Sequence, residues 1–454
     1  MRMGEKEMIS LPVKVRRILR TLRDHGFEAF VVGGCVRDSI LGRQPSDWDI
    51  ATSASPQQVR ALFPHTVDTG IAHGTVTVMM DREGFEVTTY RIDGKYSDGR
   101  HPDSVEFTPD LAEDLGRRDF TINAMAYSEE DGLIDLFGGR EDLDRGLVRC
   151  VGSASMRFGE DALRMLRAVR FCAQMGFSLD AEAGEAIRAQ ASDLKKVSAE
   201  RIRAELEKLL VSPHPEMLRM AWETGITAVV LPEFDRMMDQ VQNGSHHIFS
   251  VGEHTLQTMR SIRPDRLLRF VMLFHDMGKP VRAVRTPDGI YHFRGHAADS
   301  AVIARQITDR LRFDRATADR CVRLVSVHSL YPEATPEGVR RGAAQTGPDI
   351  FGLFLEVKRA DIMGQNPAVQ GPKLKWLAKV EKIWQEILER GDCLQVRDLA
   401  VGGKDLIDDG MPPGPGMGVL LEQLLDEVLA DPEKNRRELL LARSRKLRGV
   451  DSAE

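Results

Sequence analysis

Two aspartates one residue apart, Asp47 and Asp49, follow a glycine pair, Gly33-Gly34, in the stretch VVGGCVRDSILGRQPSDWDIAT, residues 31–52. Side chains alternate along an extended chain, so if residues 47–51 form a strand both carboxylates leave the same face. Acidic oxygens on one face suit Mg²⁺, and metals held this way lower the pKa of an attacking hydroxyl and neutralise charge on a departing pyrophosphate. Glycines that close a strand let the backbone approach a phosphate, while the first amides of the following helix, together with Arg37, supply positive potential. A lone Gly-Gly is usually a loop and a lone Asp-x-Asp a solvated turn. The order strand, Gly-Gly, helix, Asp-x-Asp is what points to a triphosphate beside metal ions.

Two more stretches extend this chemistry. RRDFTINAMA, residues 117–126, sets Arg118, Asp119 and Asn123 at the start of an apolar run, which taken alone reads as a charge cluster with Asp119 as a helix cap. FGEDALRMLRAVRF, residues 158–171, puts Asp161 and Arg164 three apart, where one helix would present both to a ligand, with Arg167 and Arg170 one and two turns on. A carboxylate accepts hydrogen bonds and a guanidinium only donates them. Cytosine and adenine each offer an amino donor beside a bare ring nitrogen, whereas uracil and guanine offer a carbonyl beside a ring N–H. An Asp/Arg pair aimed at that edge takes C and A and rejects U and G without a template. The competing reading of such a pair is a salt bridge on a solvated helix face.

The second half of the chain holds a separate constellation: His254, His275-Asp276, His296, His328 and Asp361. Imidazoles and carboxylates gathered from several helices make a divalent-metal site, and His-Asp inside the apolar run LLRFVMLFHDMGK is hard to justify as packing.

The elements that must position these groups are legible from periodicity. From Phe27 to about Leu147 short β-type runs (FEAFVV, GTVTVMM, FEVTTYRI) alternate with turns, which predicts an α/β domain with a mixed or antiparallel sheet. From Gly159 the period becomes helical, with one stripe at Leu163, Leu166 and Val169 to Phe171 and another at Ile202, Leu206, Leu209 and Leu210. Breaks at Ser212–Pro215, Leu231-Pro232, Thr286–Gly289 and the Pro/Gly-rich Met411–Gly418 place boundaries near 150, 235 and 390. The segment from 90 to 107, rich in Gly, Asp and basic residues, reads as a mobile loop near the site.

Bulk properties bound the rest. A chain of 454 residues exceeds one ordinary core, so two to four domains are expected. The net charge of −6 offers no uniformly basic surface, and any RNA site must be a local patch. Five dispersed cysteines, with no CxxC pair, fit a reducing cytoplasm rather than a disulfide framework. The start of the chain has no apolar signal core, and the most apolar stretch, Leu267–Phe274, is short and contains Arg269, so no membrane association is expected. Residues 434–448 carry seven Lys/Arg against one Glu, a solvated amphipathic helix or, in the sharper reading, an RNA-backbone contact. The sequence sets no oligomeric state.

The strings GGCVRD and DWD resemble the head-domain signature of the tRNA CCA-adding enzymes and bacterial poly(A) polymerases, the second class of the polymerase-beta nucleotidyltransferase superfamily. RRDFTINAMA and GEDALRMLR are similar to the next two signatures. The resemblance implies a nucleotidyltransferase head over 1–150, a helical neck with base-recognition and RNA-binding helices over 151–235, an HD metal-binding domain over 236–390 and a helical tail over 391–454. It assigns Asp47 and Asp49 to Mg²⁺ and catalysis, with Glu86 a candidate third carboxylate. Gly34, Arg37 and Arg118 go to the nucleotide, Asp119 and Asn123 to the ribose side, and Asp161, Arg164, Arg167 and Arg170 to the base and its surroundings. The histidine constellation resembles the HD phosphohydrolases, with His254, His275, Asp276 and Asp361 as core ligands and His296 and His328 as ligands of a second divalent transition metal. The implied function is addition of C and A to the 3′ end of tRNA from CTP and ATP, and the 90–107 loop favours it over A-only addition. Two alternatives stand: an A-only enzyme of the same family, and an HD phosphohydrolase whose head only binds.

Overall fold

Runs rich in Val, Thr and Phe form strands β1 (Ala29–Val32), β2 (Ile50–Thr52), β3 (Thr66–Gly70), β4 (Thr75–Met80), β5 (Glu83–Thr89), β6 (Arg91–Asp93), β7 (Val105–Phe107), β8 (Met125–Ser128) and β9 (Gly132–Asp135). Seven of them make one sheet in the order β3-β4-β5-β2-β1-β8-β9. Its neighbours are antiparallel except β2 and β5, which run parallel, so the mixed sheet expected from the turns is what forms. All four residues of β1 are buried, as a central strand covered on both faces requires. The amphipathic helix Val13–Asp24 packs against it and buries Val15, Ile18, Leu19 and Leu22. Strands β6 and β7 pair as a separate ribbon, Arg91 opposite Phe107.

This computed structural model describes residues 9–71, 74–94, 105–244 and 248–450. Residues 95–104 of the expected loop lie outside the described residues. The chain divides into two units, Met1–Pro232 and Glu233–Glu454.

Two local expectations are corrected. Residues 47–49 precede the strand, because β2 begins at Ile50. Register Val31↔Ile50 sets Asp49 opposite Val32, whose N–H donates to the Asp49 carbonyl at 3.0 Å. Beyond Val32 the partner strand is gone, since the chain turns away at Gly33. Asp161 and Arg164 do not share a helix. Helix Ala154–Glu160 stops, Asp161 is extended (φ −143°, ψ 104°), and a new helix runs Leu163–Met175. Gly159 weakens the first helix, and the Asp161 carboxylate accepts from Leu163 N–H at 3.0 Å, a capping bond that competes with helix continuation. The predicted stripes hold: Leu163, Leu166 and Val169 on one helix, and Ile202, Leu206, Leu209 and Leu210 on Ala199–Leu210, are buried where the two helices pack.

Among its described residues the second unit is helical apart from a short ribbon (Val284–Arg285 with Tyr291–His292). Helices Val251–Ser261, Arg266–Phe274, His296–Arg310, Arg315–Val327 and Phe351–Met363 surround its core, and Leu268 to Phe274 are all buried. Toward the C-terminus, Leu406, Leu420, Leu424, Val428 and Leu440 form a cluster of their own. The basic helix there is neutralised: Arg443 pairs with Glu427, Arg445 and Arg448 with Asp409, and Arg437 with Asp405. That pattern of ion pairs is what the amphipathic reading of residues 434–448 expects. Among the described residues no helix is long and apolar enough to cross a membrane.

Candidate active site and candidate metal centre

Gly33 ends β1 with φ +77° and starts helix Gly34–Ile40. A side chain there would be strained, and its Cβ would lie 3.0 Å from Arg118 Nη1. The glycine therefore admits a guanidinium to the end of the strand. Around this turn opens a cleft of about 1100 Å³, lined among others by Gly34, Arg37, Asp47, Asp49, Arg118, Asp161, Arg164, Arg167 and Arg170. Every residue expected to serve the nucleotide reaches this one space, though the chain supplies them from three separate stretches.

Asp49 and Asp47 stand at the carboxylate end of the cleft. Partial desolvation, then the Asp47 charge, raises the Asp49 carboxyl above its usual range; Glu86 adds to this and Arg118 opposes it. Glu86 lies on β5, one register step before the Val87↔Ile50 pair and so beside Asp49. Its expected place as a third carboxylate has a geometric basis. Three acidic groups with too little positive charge among them form an oxygen donor set suited to a hard cation.

The opposite wall is a continuous polar chain. Arg37 Nη1 donates to Asn123 Oδ1 at 2.6 Å, Asn123 Nδ2 to Asp119 Oδ1 at 3.2 Å, and Arg167 Nη2 to Asp119 Oδ2 at 2.6 Å. Asp119 does not cap a helix; it sits between helix Leu111–Gly116 and the short turn Thr121–Asn123 that leads into β8. Burial opposes its ionisation, but the Arg167 charge and the hydrogen bonds from Arg167 and Asn123 bring its pKa down to about 2. Three guanidiniums, Arg37, Arg167 and Arg170, fan around the Phe171 ring, with Arg170 closest at 3.8 Å from its centroid. Glu205, buried on Ala199–Leu210, faces Arg170 Nε at 2.6 Å. Arg201 on the same helix donates to Asp161 Oδ2 at 2.7 Å, while Arg164 pairs with Glu160. The salt bridge between Asp161 and Arg164 foreseen as the competing reading does not form. Sequence reasoning missed Glu205, Arg201 and Phe171; the first two sit on a helix that read only as a core stripe. Arginines thus gather along this cleft within a chain of net charge −6.

The second unit assembles all six predicted ligands at helix ends and faces. His254 projects from Val251–Ser261, His275 and His328 close Arg266–Phe274 and Arg315–Val327, His296 opens His296–Arg310, and Asp361 comes from Phe351–Met363. Asp276 lies between two histidine pairs. Its Oδ2 is 3.2 Å from His275 Nε2 and 3.6 Å from His254 Nε2; its Oδ1 is 3.2 Å from His296 Nε2 and 3.6 Å from His328 Nε2. Asp361 Oδ1 lies 3.2 Å from His254 Nε2. Each ring turns Nδ1 to a backbone carbonyl, of Gly364, Met272, Phe293 and Val325 for His254, His275, His296 and His328, at 2.6–3.0 Å. A carbonyl only accepts, so each Nδ1 carries a proton and each Nε2 points its remaining position inward. The inward nitrogens come within 3.4 Å (His254–His275) and 3.1 Å (His296–His328). Nitrogens this close need either a cation among them or a proton on one of each pair. Two clusters, His254/His275/Asp276 and Asp276/His296/His328, have the spacing to hold a metal ion each. Burial opposes charge on Asp276, yet the His275 and Lys279 charges keep its carboxyl well below the ordinary range. Lys279, 2.7 Å from Asp276 Oδ2, is a further member of the centre that sequence reasoning did not name. Gly278 is obligatory between them, since a Cβ there would fall 2.3 Å from the His296 carbonyl.

Comparison with known proteins agrees with the description of the head and its cleft. The family described as "Poly A polymerase head domain" matches residues 29–149, and that described as "Probable RNA and SrmB- binding site of polymerase A" matches residues 176–238. A CCA-adding enzyme of Geobacillus thermodenitrificans is 53% identical over 211 residues, 46% of this chain and 52% of that protein, so at this identity the chain spans about half the relative's length. A CCA-adding enzyme of Lactobacillus gasseri is 34% identical over 417 residues, 91% of this chain and 92% of that protein. The crystal structure of the Bacillus stearothermophilus CCA-adding enzyme in complex with CTP superposes with a TM-score of 0.70 at 31% identity, covering 96% of this chain and 98% of that one. With cleft, sheet and near full-length likeness in agreement, the chain belongs to the CCA-adding enzyme family.

Proposed function

We propose that the protein adds C and A to the 3′ end of tRNA, taking CTP and ATP as substrates and working without a template. The observation that carries this reading is the convergence, in one cleft, of the Asp47/Asp49 pair, the Gly33 turn with Arg37 and Arg118, and the separately braced Asp161 and Arg164. Asp47, Asp49 and Glu86 would hold Mg²⁺, which supplies activation of the 3′-hydroxyl and charge neutralisation on the pyrophosphate. Gly34 and the guanidiniums of Arg37 and Arg118 bind the triphosphate. Asp119 and Asn123 hold Arg167 and Arg37 on the ribose side. Asp161 accepts from the amino group shared by cytosine and adenine, and Arg164 donates to the neighbouring ring nitrogen. In domain terms, residues 1–150 form the catalytic head, 151–235 the base-reading neck, 236–390 an HD domain and 391–454 the tail. Incubating the protein with tRNA lacking its terminus, Mg²⁺ and single labelled nucleotides tests the reading: incorporation of C and then A supports it, and incorporation of A alone favours the A-only alternative.

A second activity is favoured by the bridging carboxylate of Asp276 between two histidine pairs. His254, His275, Asp276 and Asp361 would hold one divalent transition metal, and Asp276, His296 and His328 a second. Divalent ions held there would supply Lewis-acid polarisation of a phosphate ester, and Lys279, 2.7 Å from Asp276 Oδ2, adds positive charge beside the site. We assign this centre to phosphomonoester or 2′,3′-cyclic phosphate hydrolysis, tested by adding manganese, nickel or cobalt to the whole chain and following phosphate release.

A further inference from the structure

We infer that Lys358, together with Lys279, makes the histidine centre accept its second divalent ion only in company with a phosphate group. The inference rests on the metal-centre reading proposed above.

Lys358 lies on Phe351–Met363, one turn before the ligand Asp361, and is fully buried. Its Nζ donates to the His328 carbonyl at 3.0 Å and stands 3.6 Å from the centre of the Tyr331 ring. Among the described residues no carboxylate comes within ion-pair distance of it. Desolvating an ammonium without an ion pair is expensive, and an apolar side chain of similar length would fill the space at less cost. The charge at this position therefore serves the centre and not the packing. The carboxylate charges that reach it belong to two ligands, Asp361 and Asp276. Lys279, also buried, stands 2.7 Å from Asp276 Oδ2. At the edge of the centre Lys373 bonds Gln365 Oε1, and the Gln365 amide donates to Asp361 Oδ1 at 3.3 Å.

The two ligand carboxylates are thus matched by the two buried ammonium groups of Lys279 and Lys358, and the four imidazoles are neutral when they act as ligands. The protein's own contribution to the centre cancels. One divalent ion leaves two positive charges uncompensated and a second leaves four, among side chains of which His254, His275, Asp276 and His328 are all buried. Excess charge of one sign costs far more there than in water. A phosphate dianion halves that excess. Without the lysines the same ligands would offset one ion completely, and the second would need no anion.

The test counts ions bound to the full chain by equilibrium dialysis and elemental mass spectrometry, with Mn²⁺ as the metal. The difference from D276A is taken, so that ions held by the nucleotide cleft cancel. Wild type is expected to hold one ion per chain more than D276A in chloride buffer, and two more once inorganic phosphate is added. K358M keeps the side-chain length and removes the charge, and in chloride it should bind the second ion about tenfold more tightly than wild type, or better. Two ions in wild type without phosphate, or one ion with and without it, overturns the inference. So does a second-ion affinity in K358M equal to that of wild type. Should K358M fail to fold, K358Q takes its place, and the wild-type counts in the two buffers decide independently of either variant. No difference between wild type and D276A in either buffer sinks the metal-centre reading itself.

Discussion

Asp119 accepts from Arg167 through two nitrogens at once, Nε at 3.0 Å and Nη2 at 2.6 Å, on the single oxygen Oδ2. Asp119 belongs to the second motif, residues 117–126, and Arg167 lies on the helix of the third, so this contact fixes how two sequence motifs meet.

Its pH dependence follows from the depressed carboxyl. With a folded pKa of about 2 against about 3.9 in an unfolded chain, the ionised form stabilises the fold above pH ~4, and that contribution disappears as pH falls through 2. The difference amounts to roughly 2–3 kcal/mol. Asp119→Asn should lower stability near neutral pH and flatten the acid limb of the curve between pH 4 and 2, read by urea melts across that range. A variant curve parallel to wild type would show that the pair does not couple to folding.

The carboxylate end is tested by Asp47→Ala and Asp49→Ala. Both residues are exposed to the cleft, and neither packs in the core, so folding and tRNA binding should survive while nucleotide addition falls by several orders of magnitude. Single-turnover addition assays with a parallel filter-binding measurement separate the two effects, and near wild-type turnover in either variant refutes the metal role.

Asp161→Ala and Arg164→Ala each leave a base edge unpaired, at a cost of about 1.5–3 kcal/mol, or roughly 10- to 150-fold in discrimination. Both should slow CTP and ATP use and bring UTP and GTP closer to them, while weak indiscriminate addition persists through the triphosphate contacts. Four-nucleotide competition on one tRNA acceptor gives the answer; an unchanged preference moves base selection elsewhere.

For the histidine centre, Asp276→Ala removes the one group shared by both ligand clusters. Metal content measured by mass spectrometry should drop, and metal-stimulated phosphate release should vanish, with nucleotide addition preserved. Wild-type protein that takes up no manganese, nickel or cobalt would leave the cluster an architectural one.

Much of this was readable before any coordinates. The strand alternation, the Gly-Gly turn ahead of Asp-x-Asp, the helical stripes and the six histidine and aspartate ligands are local or compositional signals, set by side-chain period and by donor and acceptor chemistry. Tertiary structure decided what local signals do not carry. Residues 47–49 stop short of β2 because their ladder partner turns away at Gly33, a long-range pairing. Asp161 leaves the helix because its carboxylate caps the next one, and it then meets Arg201, forty residues along the chain. Glu205 read as an ordinary helix residue until packing of Ala199–Leu210 on Leu163–Met175 set it against Arg170. The bridging position of Asp276 depends on four helix ends converging on one point. Sequence specifies which groups are present and on which face of an element they lie; only burial of the apolar faces against one another fixes which of them touch.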